Sequence, residues 1–152
     1  MILELVDEKN PILHNPTTTT TEITDVTRKF ATNMLRTMRK CRGMGLAANQ
    51  VGSEMRIAVV ENRRLLKRPL IMINPKITEM SEKQSDAIEG CLSIPKEGFV
   101  VRRPTRIVVK YTNQRGESKS LKATNLLARI IMHEISHLDG VTIRDMAIEH
   151  DA

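Results

Sequence analysis

Aromatic side chains are scarce in this chain, with two Phe, one Tyr and no Trp in 152 residues. That scarcity argues against a platform of stacked rings for unpaired bases, and it leaves the core to Ile, Leu, Val and nine Met. Long apolar runs are missing too. Nothing approaches the roughly 18 residues that a membrane-spanning helix needs, and the opening MILELVDEKN has neither the basic nor the apolar region of a signal peptide. Cysteine is sparse as well: Cys41 and Cys91 cannot form a disulfide framework, which fits a reducing cytoplasm and leaves a thiol for chemistry.

The residues present have globular proportions, 40% hydrophobic and 28% charged, and the length fits one domain over residues 1–152. The net charge of +6 favours polyanionic neighbours. Its Lys and Arg look scattered, the densest groups being Arg63-Arg64 with Lys67-Arg68 and Arg102-Arg103. A solvated basic surface is the expectation, without a specific nucleic-acid site.

From Asp25, Val26, Phe30, Met34, Met38 and Cys41 recur at helical spacing, with Gly43 able to end the helix. On that stripe Cys41 reads as packing. Short β-rich runs follow at 56–60, 70–74, 99–102 and 106–112, and Asn113-Gln114-Arg115-Gly116 turns the chain into a strand near 118–122. TNLLARIIMHEISHLDG then predicts a helix from about Asn125 to Leu138, capped by Thr124 or Asn125 and stopped by Gly140. Helix, strands and helix without regular βαβ alternation predict an α+β fold, with antiparallel sheets packed around the late helix.

That late helix carries the chemistry. His133, Glu134 and His137 form H-E-x-x-H, and residues four apart share a helix face with Cβ atoms roughly 5–6 Å apart, so two imidazoles can bind one metal. Glu134 can then reach an activated water without being a ligand. A catalytic metal usually takes a third protein ligand and keeps one open position. Cys91, in EGCLSIP, is a candidate, although taken alone it reads more readily as a buried inert thiol. In GMGLAANQVG, residues 43–52, small residues surround Gln50, whose amide could donate to an oxygen developing charge; a helix end and tight turn would explain the glycines as well.

Taken in order, Gly43-Met44-Gly45-Leu46-Ala47-Ala48-Asn49-Gln50, Glu89-Gly90-Cys91-Leu92-Ser93 and His133-Glu134-Ile135-Ser136-His137 resemble the peptide deformylase family. The resemblance implies a hydrolase that removes the formyl group from the N-terminal formylmethionine of nascent polypeptides. It implies Cys91, His133 and His137 as ligands of one divalent metal, Fe²⁺ natively, with Zn²⁺, Ni²⁺ or Co²⁺ able to replace it. It gives Glu134 the acid/base role, Gln50 and the Leu92 backbone N–H the oxyanion, and Gly45 a backbone contact to substrate. It also places Met44, Glu89, Gly90, Leu126, Arg129 and Ile130 around the substrate pocket.

Two positions depart from the family pattern. Ser136 stands where many members carry Asp, so the histidines must be oriented by another acceptor. Arg129 stands where an apolar pocket wall is common, and its stem is expected to line the pocket while its charge reaches water. The closing VTIRDMAIEHDA lacks the basic helix with which bacterial members commonly continue, so ribosome contact is expected to be weak and to use scattered surface cations. The competing functions are an H-E-x-x-H zinc peptidase with its third ligand among Asp139, Asp145, Glu149, His150 and Asp151, and a non-catalytic deformylase-like domain that binds ribosomes or nascent chains.

Overall fold

A computed structural model describes residues 1–151. The elements, in chain order, are α1 (Asp25–Lys40), β1 (Gly45–Ala47), β2 (Ile57–Val60), β3 (Leu70–Met80), β4 (Gln84–Cys91), β5 (Ile94–Pro104), β6 (Arg106–Thr112), β7 (Ser118–Thr124), α2 (Asn125–Leu138), α3 (Ile143–Met146) and β8 (Glu149–Asp151). All pairings between these strands are antiparallel, in a five-stranded sheet ordered β1-β2-β3-β6-β7 and a three-stranded sheet ordered β4-β5-β8. The fold is α+β. No helix among the described residues is long and apolar enough to cross a membrane.

The period-two geometry of strands explains why the larger sheet needs two covers. Ala58, Val60, Leu70 and Met72 face one side and pack with Ala128, Ile131, Met132, Ile135 and Leu138 of α2. Ile57, Val59, Ile71 and Ile73 face the other and meet Ala31, Met34, Leu35 and Met38 of α1. β2 is therefore buried along its whole length, and its sequence, IAVV, is an unbroken apolar run.

Helix boundaries follow local chemistry. Thr24 caps α1 reciprocally with Thr27, and at the other end Arg42 takes the left-handed conformation, φ 59°, while the Gly43 N–H bonds to the Met38 carbonyl. The helix therefore ends through Arg42, not through a left-handed Gly43. Its buried stripe runs through Thr27, Ala31, Met34, Leu35 and Met38, so Val26, counted with the apolar face in the sequence, lies 74% exposed.

α2 begins and ends where expected, and Gly140 is required twice over. Its φ is +79°, and an added Cβ would lie 2.7 Å from the Asn15 backbone. The tail folds back as α3 and β8, the latter pairing with β5 from Gly98 to Val100.

The two helices give a direct test of packing against periodicity. Ile131 is fully buried and central to the α2 interface, so Ile131→Ala should cost about 2–5 kcal/mol. Val26→Ala should change stability by no more than about 0.5 kcal/mol. Urea unfolding of both variants measures the difference; similar losses would contradict the packing described.

Candidate functional site

α2 is buried between the two sheets, and the face turned away from its apolar contacts carries Arg129, His133 and His137 towards the smaller sheet. β4 brings Glu89 and Cys91 to the same place. A register shift separates these residues: Glu89 pairs with Phe99, whereas Cys91 pairs with Ile94. Such an irregularity re-aims a side chain at the end of a strand.

The Cys91 Sγ lies 3.2 Å from His137 Nε2, and the His133 and His137 rings sit 5.0 Å apart at 63°. Ligand atoms of Cys91, His133 and His137 all fall within 4.8 Å of one another. Bond lengths of ~2.0–2.1 Å to nitrogen and ~2.3 Å to sulfur put tetrahedral donors roughly 3.3–3.6 Å apart, so a small contraction of this set would hold a metal. One thiolate and two imidazoles suit a first-row divalent ion.

Three of the alternative third ligands in the tail have other partners. Asp139 pairs with Arg56, Asp145 caps Thr142, and His150 stacks on Phe99 at 4.6 Å. Among the described residues Cys91 is the third donor that joins the histidine pair, and the Asp151 side chain lies outside them.

Behind the cluster, Glu89 makes four close contacts. Arg103 bonds to it bidentately at 2.7 and 2.9 Å, Arg129 Nη1 donates to Oε2 at 2.7 Å, and His133 Nδ1 lies 2.9 Å from Oε1. Burial opposes ionisation of Glu89, but the hydrogen bonds from His133 and Arg103 outweigh it and hold the carboxyl at about 2. Donation from Nδ1–H leaves His133 Nε2 as the lone-pair nitrogen. The histidine orientation that Ser136 cannot supply thus comes from β4.

Arg129 corrects its expected role. Its guanidinium does not reach water; it is buried against Glu89, the Val101 carbonyl and the Ser85 carbonyl and hydroxyl. Arg103, read from sequence as part of a surface pair, is only 2% exposed. Strand alternation contains the signal: Phe99, Val101 and Arg103 point inward while Arg102 points out to Asp86. Ser93 and Asn49, which the sequence motifs contain without a role, also support the site: Ser93 Oγ lies 3.2 Å from Gln50 Nε2 and the Asn49 amide donates to the His137 carbonyl.

These groups surround a cavity of about 510 Å³. Met44, Gly45, Gln50, Glu89, Gly90, Cys91, Leu92, Leu126, Arg129, Ile130, His133 and Glu134 line it, with His137 just behind Cys91. Met44 and Leu126 are about half exposed, at 45% and 46%, which puts them on the rim. The Ala47 N–H donates to Gln50 Oε1 at 2.9 Å, turning Nε2 towards Cys91 Sγ, 3.6 Å away. Burial pushes the Glu134 carboxyl up to about 7, and its Oε1 has no hydrogen-bond partner among the described residues. A Cβ at Gly45 would lie 2.4 Å from Glu134 Oε2, so only glycine leaves room for this carboxylate.

The charge balance of the buried cluster yields a stability test. Glu89→Gln leaves two buried guanidiniums without their carboxylate and should cost about 3–5 kcal/mol. Arg129→Met keeps the bidentate Glu89–Arg103 pair and should cost only about 1–2 kcal/mol, for the hydrogen bonds lost at Val101 and Ser85. Urea unfolding of the two variants ranks them, and equal losses would refute the hub role given to Glu89.

A family profile described as polypeptide deformylase matches residues 2–151. The peptide deformylase of Dictyoglomus thermophilum is 42% identical over 149 residues, covering 98% of this chain and 95% of that protein. That of Rickettsia prowazekii is 43% identical over 131 residues, covering 82% and 75%. Among solved structures, peptide deformylase from Thermotoga maritima superposes with a TM-score of 0.92 at 34% identity, covering 97% of this chain and 98% of that one. The Synechococcus elongatus enzyme, in complex with actinonin, gives 0.90 at 38% identity, covering 95% and 78%. Sequence, fold and the cluster on α2 agree, and the chain belongs to the polypeptide deformylase family.

Proposed function

We propose that this enzyme hydrolyses the N-formyl group of formylmethionine peptides, including nascent chains, with the groups around α2 as its working parts. The observation that carries this reading is the convergence of Cys91, His133, His137 and Glu134 at one cavity. Cys91, His133 and His137 would hold one divalent ion, natively Fe²⁺, with Zn²⁺, Ni²⁺ or Co²⁺ able to take the same donors. When bound, the ion supplies a Lewis acid that polarises the formyl carbonyl and makes water acidic enough to react near neutral pH.

The chain's own residues do the rest. Glu134 accepts a proton from the attacking water and returns it to the leaving amine, and a carboxyl near 7 suits both transfers close to neutrality. Gln50 Nε2, fixed by the Ala47 N–H on Oε1, donates with the Leu92 N–H to the oxygen that gains charge. Gly45 offers backbone to the peptide beside Glu134. Met44, Leu126 and Ile130, together with Gly90 and the stems of Glu89 and Arg129, enclose the methionine side chain. A reducing cytoplasm keeps Cys91 competent as a ligand.

Glu134→Gln preserves shape while removing the transferable proton, so it should keep its metal and lose at least about 100-fold in kcat on a formyl-Met peptide. Paired metal analysis and steady-state kinetics test this. Turnover within a few-fold of the parent enzyme would overturn the role of Glu134.

A further inference from the structure

Much of the chain's excess positive charge lies in two segments that meet in the fold. The end of α1 carries Arg36, Arg39, Lys40 and Arg42, all exposed, and the connection between β2 and β3 carries Arg63, Arg64, Lys67 and Arg68, all exposed. The fold joins these segments. The Glu61 N–H bonds to the Met44 carbonyl, Arg39 pairs bidentately with Glu61 at 2.8 and 2.7 Å, and the Asn62 amide lies 3.5 Å from Met44 Sδ. Residues 36–42 and 61–68 thus hold eight of the 24 Lys and Arg and one of the 18 Asp and Glu, leaving 16 cations against 17 carboxylates in the rest of the chain. These two segments therefore carry most of the excess charge, with the exposed Glu4 at their edge, where the Leu3 N–H bonds to Thr37 Oγ1 of α1.

The geometry points to this face as a docking surface for the phosphate backbone of folded RNA. Charge complementarity selects the occupant: Glu61 already has Arg39, whereas the four exposed loop cations make no ion pair among the described residues and are free to meet a row of phosphates. No Phe, Tyr or Trp lies within 36–42 or 61–68, so the contact is with phosphates and independent of base sequence. The face also borders the cavity, since Arg42 and Met44 line it. An RNA-docked enzyme would thus present its mouth beside the RNA surface, and that consequence, unlike the docking itself, rests on the deformylase reading.

The test reverses the loop cations in R63E/R64E/K67E/R68E and, as a control for net charge, four exposed cations elsewhere in R106E/R115E/K119E/K122E. Binding to a fluorescent RNA duplex is titrated between about 50 and 200 mM salt, with turnover on a short formyl-Met peptide and thermal unfolding measured in parallel. The loop variant should lose at least about tenfold in RNA affinity and about 0.7–0.9 in salt slope per phosphate contact removed. The control should lose less, and peptide turnover should stay unchanged in both. Equal losses in loop and control variants would overturn the proposal, leaving only net charge. So would unchanged RNA binding with reduced turnover on acidic formyl-Met peptides, which would reassign the face to substrate. If the reversed loop variant unfolds, R63Q/R64Q/K67Q/R68Q decides by the same readings. Loss of peptide turnover in the unmutated enzyme would count against the deformylase reading without touching the RNA result.

Discussion

One buried carboxylate organises this molecule. Glu89 receives Arg103, Arg129 and His133, and so couples β4 and β5 of the smaller sheet to α2, whose apolar side is already committed to the larger sheet. An ionised carboxylate at this depth would be strongly destabilising alone; three donors make it tolerable and give the two sheets one mutual arrangement. Cys91 follows two residues later, so the interaction that orients His133 also sets the thiol opposite the histidine pair.

That coupling explains how the chain tolerates its departures from the family pattern. With Ser at 136, Arg103 finds only a long 3.4 Å contact to the hydroxyl, and its charge is balanced by Glu89 instead. Arg129 adds a second buried cation, which holds the carboxylate and two points on the adjoining strands. The local field is positive behind the histidines. Burial, reinforced by the charge of Arg103, holds His137 well below its usual range, in the neutral form a ligand requires.

Much of this was legible in the sequence because it depends on local periodicity. The range of α2, the turn at Asn113–Gly116 and the H-E-x-x-H face follow from spacing and from left-handed glycines at 116 and 140, although the expected side-chain cap at Thr124 or Asn125 does not form. The rest depends on which face a strand turns inward, which periodicity alone does not reveal. Arg103 and Glu89 are long charged residues whose burial is paid for by partners distant in sequence, so a pair of adjacent arginines looked like surface. Val26 fails for the related reason that helical spacing gives a stripe but not the width of the surface that covers it. The backfolded tail also depends on a remote edge, that of β5.

The central claim is that Cys91 completes a metal site with His133 and His137 and that Cys41, at the end of α1, does not contribute. Metal content per chain, measured on Cys91→Ala and Cys41→Ala purified side by side after loading with one divalent ion, tests it most directly. The Cys91 variant should lose most of its bound metal while the Cys41 variant keeps the parent stoichiometry. Equal metal content in the Cys91 variant and the parent would contradict the account.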